Sequence, residues 1–180
     1  EILIEQVGDT LNLTIIQDGY GNKISGDSDD ATDLIITGAT LDIDIDQIGN
    51  LNKFYGDITA DSFGFDLTFT GSSNVFDNLI GDTGSADDGD ILVDVTGSSN
   101  TFDFDLGSVV SAERLDMDLT LLGSSNAFNI DIEVDDATWN FDITGDSGNF
   151  LTSQTDGAYQ YMKVIHDGDG ADYDLIQSSG

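Results

Sequence analysis

The sequence predicts an all-β chain, a β-solenoid of about eight stacked strand–arc–strand–arc rungs with a period of about 23 residues. Two observations carry this expectation. One tetrapeptide, Gly-Ser-Ser-Asn, recurs at equal spacing, and apolar residues alternate strictly with polar ones on both sides of it. A third observation makes the fold worth explaining. The chain holds 36 Asp+Glu against four Lys+Arg, a formal net charge of −32 at pH 7.

The repeat comes first, because a fixed period decides the architecture. Gly71–Asn74, Gly97–Asn100 and Gly123–Asn126 are identical and lie 26 residues apart. Related turns stand at Gly19–Asn22 and Gly49–Asn52, with looser ones at Gly8–Asn12 and Gly145–Asn149. The residues two, four and six before each Gly are Phe69, Leu67 and Phe65; Val95, Val93 and Ile91; Leu121, Leu119 and Met117; and Ile143, Phe141 and Trp139. Two residues after the Asn of each regular turn come Ile24, Phe54, Phe76, Phe102 and Phe128. This is the period-2 signature of strands with one buried face, and no window of comparable length has helical periodicity.

Taken in chain order, Glu1–Glu5 already alternates as a strand, and the Gly turns then divide the chain. Acidic segments near the middle of the longer gaps (Ala60–Gly64, Thr83–Asp90, Val109–Glu113 and Val134–Ala137) read as turns at the opposite end of each unit. One set of arcs is expected near positions 8, 29, 49, 71, 97, 123, 145 and 168. The other is expected near 19, 38, 60, 84, 110, 135, 157 and 179. Residues 1–180 then form a single solenoid domain, either part of a longer chain or a unit of an end-to-end stack, because neither end carries a polar cap. A Greek-key sandwich, the competing all-β architecture, predicts no fixed repeat.

Composition excludes several function classes. Four basic residues cannot neutralise a nucleic-acid backbone, and with no Cys there are no disulfides, thiolate metal sites or cysteine nucleophiles. No run of 18 apolar residues exists, so no membrane span is expected. Disorder would suit the charge but not the 38% hydrophobic content and ten Phe. Alternation resolves the conflict: Phe, Ile, Leu and Val go inside, and Asp goes to the outer faces.

At this point the residues suggest a family. Gln17-Asp18-Gly19-Tyr20-Gly21-Asn22 and Gln47-Ile48-Gly49-Asn50-Leu51-Asn52 both read Q-x-G-x-x-N, with Gln6, Gln154 and Gln177 in similar slots before looser turns. That resembles the repeat of curlin, the subunit of bacterial curli fibres, and acidic curlin-like repeats on marine bacteriophage surfaces. Elsewhere the Gln slot holds Phe69, Val95, Leu121 or Ile143. The resemblance implies a strand–arc–strand solenoid with Gln and Asn ladders inside, and chain-end stacking into an extracellular filament.

Candidate chemistry is sparse. Asp outnumbers Glu 32 to 4, and stacked carboxylates about 4.8 Å apart repel by roughly 0.9 kcal/mol per pair in water, so salt, staggered register or divalent cations must relieve them. The sharpest candidate metal site is Asp167, Asp169 and Asp172 of a calcium-loop-like Asp-Gly-Asp-Gly-Ala-Asp stretch, with Asp174 beyond it. Calcium is the one cofactor it suggests, although the stretch lacks the distal Glu of a complete calcium loop, and the alternative is plain solvated turn formers. His166 occupies the slot of Gln6, Gln17 and Gln47, which makes it a ladder or arc-edge residue before a catalytic one. Trp139 heads an inward run and reads as core. Tyr20 and Tyr55 sit near arcs, and Tyr159, Tyr161 and Tyr173 gather near the C-terminus as a contact surface or cap. Carboxylate pairs abound by number alone, so a glycosidase has no specific support, and a single Thr-x-Thr (Thr68-Phe69-Thr70) is too little for an ice-binding face.

The expected function is non-enzymatic: a building block of an extracellular filament or virion-surface assembly, associating end to end. The alternative is a calcium-dependent adhesin or glycan-binding module.

Overall fold

The computed structural model describes residues 2, 4–24, 34–80, 86–106, 112–146, 148–155 and 161–178, and strands follow one another with no helix among the described residues. In chain order these are β1 (Glu5–Val7), β2 (Thr10–Asp18), β3 (Lys23–Ile24), β4 (Leu34–Ile48), β5 (Lys53–Thr70), β6 (Val75–Ile80), β7 (Ala86–Thr96) and β8 (Thr101–Leu106). They continue as β9 (Ala112–Leu122), β10 (Ala127–Ile132), β11 (Val134–Asp135), β12 (Thr138–Thr144), β13 (Asn149–Thr155), β14 (Tyr161–Asp167) and β15 (Asp172–Ser178). All pairings are parallel and join the strands into one coiled 15-stranded sheet, because each segment pairs with its equivalent one turn later. The chain is a β-solenoid.

Five turns are complete and regular: 53–74, 75–100, 101–126, 127–148 and 149–171. They advance the register by 22, 26, 26, 22 and 23 residues. Two N-terminal turns precede them, the first offset by 22 residues at Ile2–Ile24 and the second by 30, and β15 adds a last strand on one face. The eight expected rungs are thus five regular turns, two uneven ones and a half.

Two arcs change places relative to the expectation. Gln17 pairs with Gln47, so Gly19 stacks on Gly49, while Gly8 stacks on Gly38 through Gly8 N–H to the Thr37 carbonyl at 3.1 Å. The 11-residue gaps mark half-turns, and equal Gly spacing alone could not tell which corner each half-turn ends at. Expected arcs near 29, 84, 110, 157 and 179 lie outside the described residues.

The first corner has one conformation throughout. A Gly of high positive φ is followed two residues later by a left-handed residue: Leu51 (φ 60°), Ser73 (59°), Ser99 (61°) and Ser125 (59°). Asn then turns inward, and its Oδ1 accepts the backbone N–H of the Asn one turn earlier. Asn22–Asn52, Asn52–Asn74, Asn74–Asn100 and Asn100–Asn126 are each joined this way at 2.9 Å. Asn52, Asn74, Asn100 and Asn126 are buried, so this ladder satisfies backbone donors that the tight corner removes from water.

The second corner absorbs the difference between the 22- and 26-residue turns. Ile58 and Ala60 are two positions apart, as are Ile132 and Val134, whereas Ile80–Ala86 and Leu106–Ala112 span six, yet Ala60, Ala86, Ala112 and Val134 remain in register. The chain passes this corner without breaking strand β5. In later turns Asp88, Arg114 and Asp136 take left-handed φ values of 47°, 56° and 53° there.

Inside the coil, residues stack in columns. Phe54, Phe76, Phe102, Phe128, Phe150 and Tyr173 stack with centroid distances of 5.1, 6.1, 4.6, 5.3 and 5.0 Å, nearly coplanar over the last three steps. Opposite run Ile43, Phe65, Ile91, Met117 and Trp139, all fully buried, which places Trp139 in the core as expected. Each such side chain contributes about 1.5–3 kcal/mol by burial, well above the roughly 0.9 kcal/mol of a stacked carboxylate pair in water. That comparison explains how so acidic a chain stays folded.

Candidate functional site

Outward residues also form columns, and their composition is not uniform. One column reads Ile16, Asp46, Thr68, Asp94, Thr120, Asp142, Ile165. Charge alternates with Thr in the middle and gives way to Ile at both ends. Direct Asp-on-Asp steps occur at Asp44–Asp66, Asp90–Asp116, Asp77–Asp103 and Asp105–Asp131. Elsewhere an amide donor is set beside a carboxylate: Asn12 to Asp42 at 2.8 Å, Asn129 to Asp103 at 2.8 Å and Asn140 to Asp118 at 2.9 Å. Staggered register and Asn donors therefore supply much of the relief the charge requires.

Asp66 is crowded by acids of neighbouring turns. Partial burial first, then the fields of Asp44, Asp94 and Asp46, push its carboxyl above the ordinary range. At the second corner, Arg114 donates through Nε to Asp88 and through Nη1 to Glu113 at 2.8 Å. Its bond to Asp88 holds that carboxyl below the ordinary range and raises the guanidinium. The sequence reading missed this group. Its signal is the 26-residue offset of Asp88 and Arg114, visible once the Gly-Asn corners are aligned.

The four predicted metal residues are all exposed and lie around one corner. Asp167 ends β14 on one face, Asp172 and Asp174 point outward from β15 on the other, and Asp169 sits between them with its N–H bonded to Asp146 Oδ1 at 2.7 Å. The fold does not gather them: among the described residues no three His, Asp or Glu side chains converge as a metal-holding group.

His166 stands in the column of Gln17, Gln47, Phe69, Val95, Leu121 and Ile143. Its Nε2 lies 3.0 Å from the Gly145 carbonyl, and its ring packs on Tyr173 at 5.3 Å. A carbonyl only accepts, so Nε2 carries the proton. Gln47 Nε2 donates to Gln17 Oε1 at 2.9 Å at the other end of the same column. Tyr20 is exposed and Tyr55 half-buried, Tyr161 faces outward while Tyr173 faces the core, and Tyr159 lies outside the described residues.

Two recesses bear on function. One of ≈ 270 Å³ is set in an outer face and lined by Asp118, Asn140, Asp142, Lys163 and apolar neighbours. The other, ≈ 370 Å³, opens at the last turn between Met162, Val164, Leu175, Ile176 and Gln177. At this end Met162, Val164 and Tyr173 are half-buried, as Leu11 and Leu13 are in the first turn, whereas the same columns are fully covered between. Among the described residues no helix is long and apolar enough to cross a membrane. Comparison with protein-family models, with curated proteins and with solved structures gives no match.

Proposed function

We propose that this chain is a non-enzymatic structural protein, a β-solenoid building block of an extracellular filament or virion-surface assembly that works by stacking end to end. The fold is that of a structural repeat protein, and the Q-x-G-x-x-N corners support the likeness to curlin repeats.

One observation carries the stacking. The column from Ile16 to Ile165 holds three Asp in its interior, yet both ends are exposed Ile, 66% and 46% accessible. A column that is apolar only at its two terminal positions suits a surface that is covered there. A copy added in register brings Gln177 onto Gln6 and extends the parallel ladder of the eight-layered face, while Ile165 and Ile16 flank one open strand position on the seven-layered face. The carboxylates stand in columns along the sheet rather than facing each other across a cleft, which favours a non-catalytic role.

Electron microscopy of the purified protein without ligand, at high salt, tests this. Filaments or regular stacks are expected, and Ile16→Asp or Ile165→Asp is expected to dissolve them. A monodisperse monomer at high concentration and high salt overturns the reading.

A further inference from the structure

The acid is absent from the middle layers of one long edge of the rod. Around the Gly-Asn corner the outward positions are Ile48, Thr70, Thr96, Leu122 and Thr144 on one margin. Asn50, Ser72, Ser98 and Ser124 form the crest, and Val75, Thr101, Ala127 and Asn149 lie on the other margin. Ile48, Leu51 and Leu122 on this strip are 41–49% exposed. In a molecule of net charge −32, this is a flank on which a like-charged copy can rest.

The ends of the second margin carry opposite charge. The second margin begins with Lys23 stacked on Lys53, passes through Val75, Thr101, Ala127 and Asn149, and finishes at Asp172. On the crest the last two positions are Asp146 and Asp169. Thr101 is the middle of seven layers, and Thr96 and Ser98 occupy the same layer. The charge pattern of the second margin is therefore complementary to itself when reversed about that layer.

We infer that two copies of this chain pair laterally and antiparallel along the Gly-Ser-Ser-Asn edge, about a two-fold axis at the layer of Thr96, Ser98 and Thr101. Such an isologous contact sets Lys23 against Asp172 of the second copy at both ends, Val75 against Ala127, and Thr70 against Leu122. Asp18 and Asp167 end the first margin and face each other across the two-fold, so attraction is confined to the Lys-bearing margin and the other margin's ends oppose it. The edge is about 29 Å tall over seven layers and narrow, below the roughly 1,200 Å² of a standard interface, so pairing depends on concentration. It is separate from end stacking and uses none of its residues.

Disulfide trapping in the full chain tests it, since the protein has no Cys of its own. All variants carry Ile16→Asp, which removes end contacts. Thr96→Cys is expected to cross-link to itself on mild oxidation. Thr70→Cys is expected to cross-link with Leu122→Cys but not with itself. Thr68→Cys, on an acidic column, reports random collision. In sedimentation, Lys23→Glu/Lys53→Glu and Asp169→Lys/Asp172→Lys are each expected to weaken the dimer about tenfold, and an equimolar mixture is expected to restore it. Thr96→Cys cross-linking no faster than Thr68→Cys, self-linking of Thr70→Cys, or charge variants that pair like the parent each overturn the inference.

Discussion

Gly97 rides so closely over Gly71 that a Cβ built on it would stand 1.7 Å from the Gly71 carbonyl oxygen. The contact is backbone on backbone and recurs at each first corner from Gly49 to Gly168, so no side-chain rotation can relieve it.

Gly97→Ala is therefore expected to destabilise the fold by about 4 kcal/mol, lowering Tm by roughly 8–16 °C. Gly21→Ala is the control. Its φ of 67° is also left-handed, but nothing lies within 4 Å, so a loss of only about 1 kcal/mol is expected. Equal losses in thermal melts would show that φ, not the close approach, demands glycine at the corner.

Ser99 is exposed and held at φ 61°. Replacing it with Gly removes about 1 kcal/mol of left-handed strain and gives back part of that as unfolded-chain entropy, for a net gain near 0.5 kcal/mol. A small rise in Tm checks it, and a fall would assign the Ser99 side chain a stabilising role.

Asp66 is predicted to oppose folding at neutral pH. Its folded-state carboxyl titrates above the ordinary range, so the stability linked to its proton is present below that range and is lost as pH rises through the folded value. Asp66→Asn should thus raise Tm at pH 7, by about 1–2 °C after allowing for solvent screening. The difference should vanish near pH 3, and added salt should shrink the part due to Asp44, Asp94 and Asp46. Melts across pH check the sign.

Four residues inserted after Glu133 would give Ile132–Val134 the six-position spacing that Ile80–Ala86 already has. A loss of about 1 kcal/mol or less is expected from loop closure. The same insertion between Ser98 and Ser99 interrupts the Asn ladder and the Gly stack and should prevent folding of that turn. Circular dichroism and urea melts of the two variants separate these outcomes.

Much of this was legible in the sequence because a solenoid writes its geometry one-dimensionally. Alternation from Phe65 to Phe69 and from Phe102 to Leu106 names the buried face directly, and the Gly-Ser-Ser-Asn spacing names the turn. What remained illegible depends on register between turns of unequal length. Gly8 and Gly19 exchange corners because an 11-residue gap fixes a half-turn but not its phase. Asp44 meets Asp66 across 22 residues, while Asp88 meets Arg114 across 26, so neither pair follows from a single period. For Asp167, Asp169, Asp172 and Asp174, local spacing resembled a metal loop, but alternation along β14 and β15 sends the side chains to different faces.

The unequal spacing at the second corner has a further consequence. Since Ala60, Ala86, Ala112 and Val134 stay aligned whether two or six positions separate them from the column of Ile58 and Ile132, that edge behaves as a rail of independent sockets. Segments of different length and sequence could be presented there at intervals of about 4.8 Å without disturbing the ladders behind them. Natural drift and deliberate grafting would both find their tolerated positions on this side of the rod, leaving the Gly-Asn side constant.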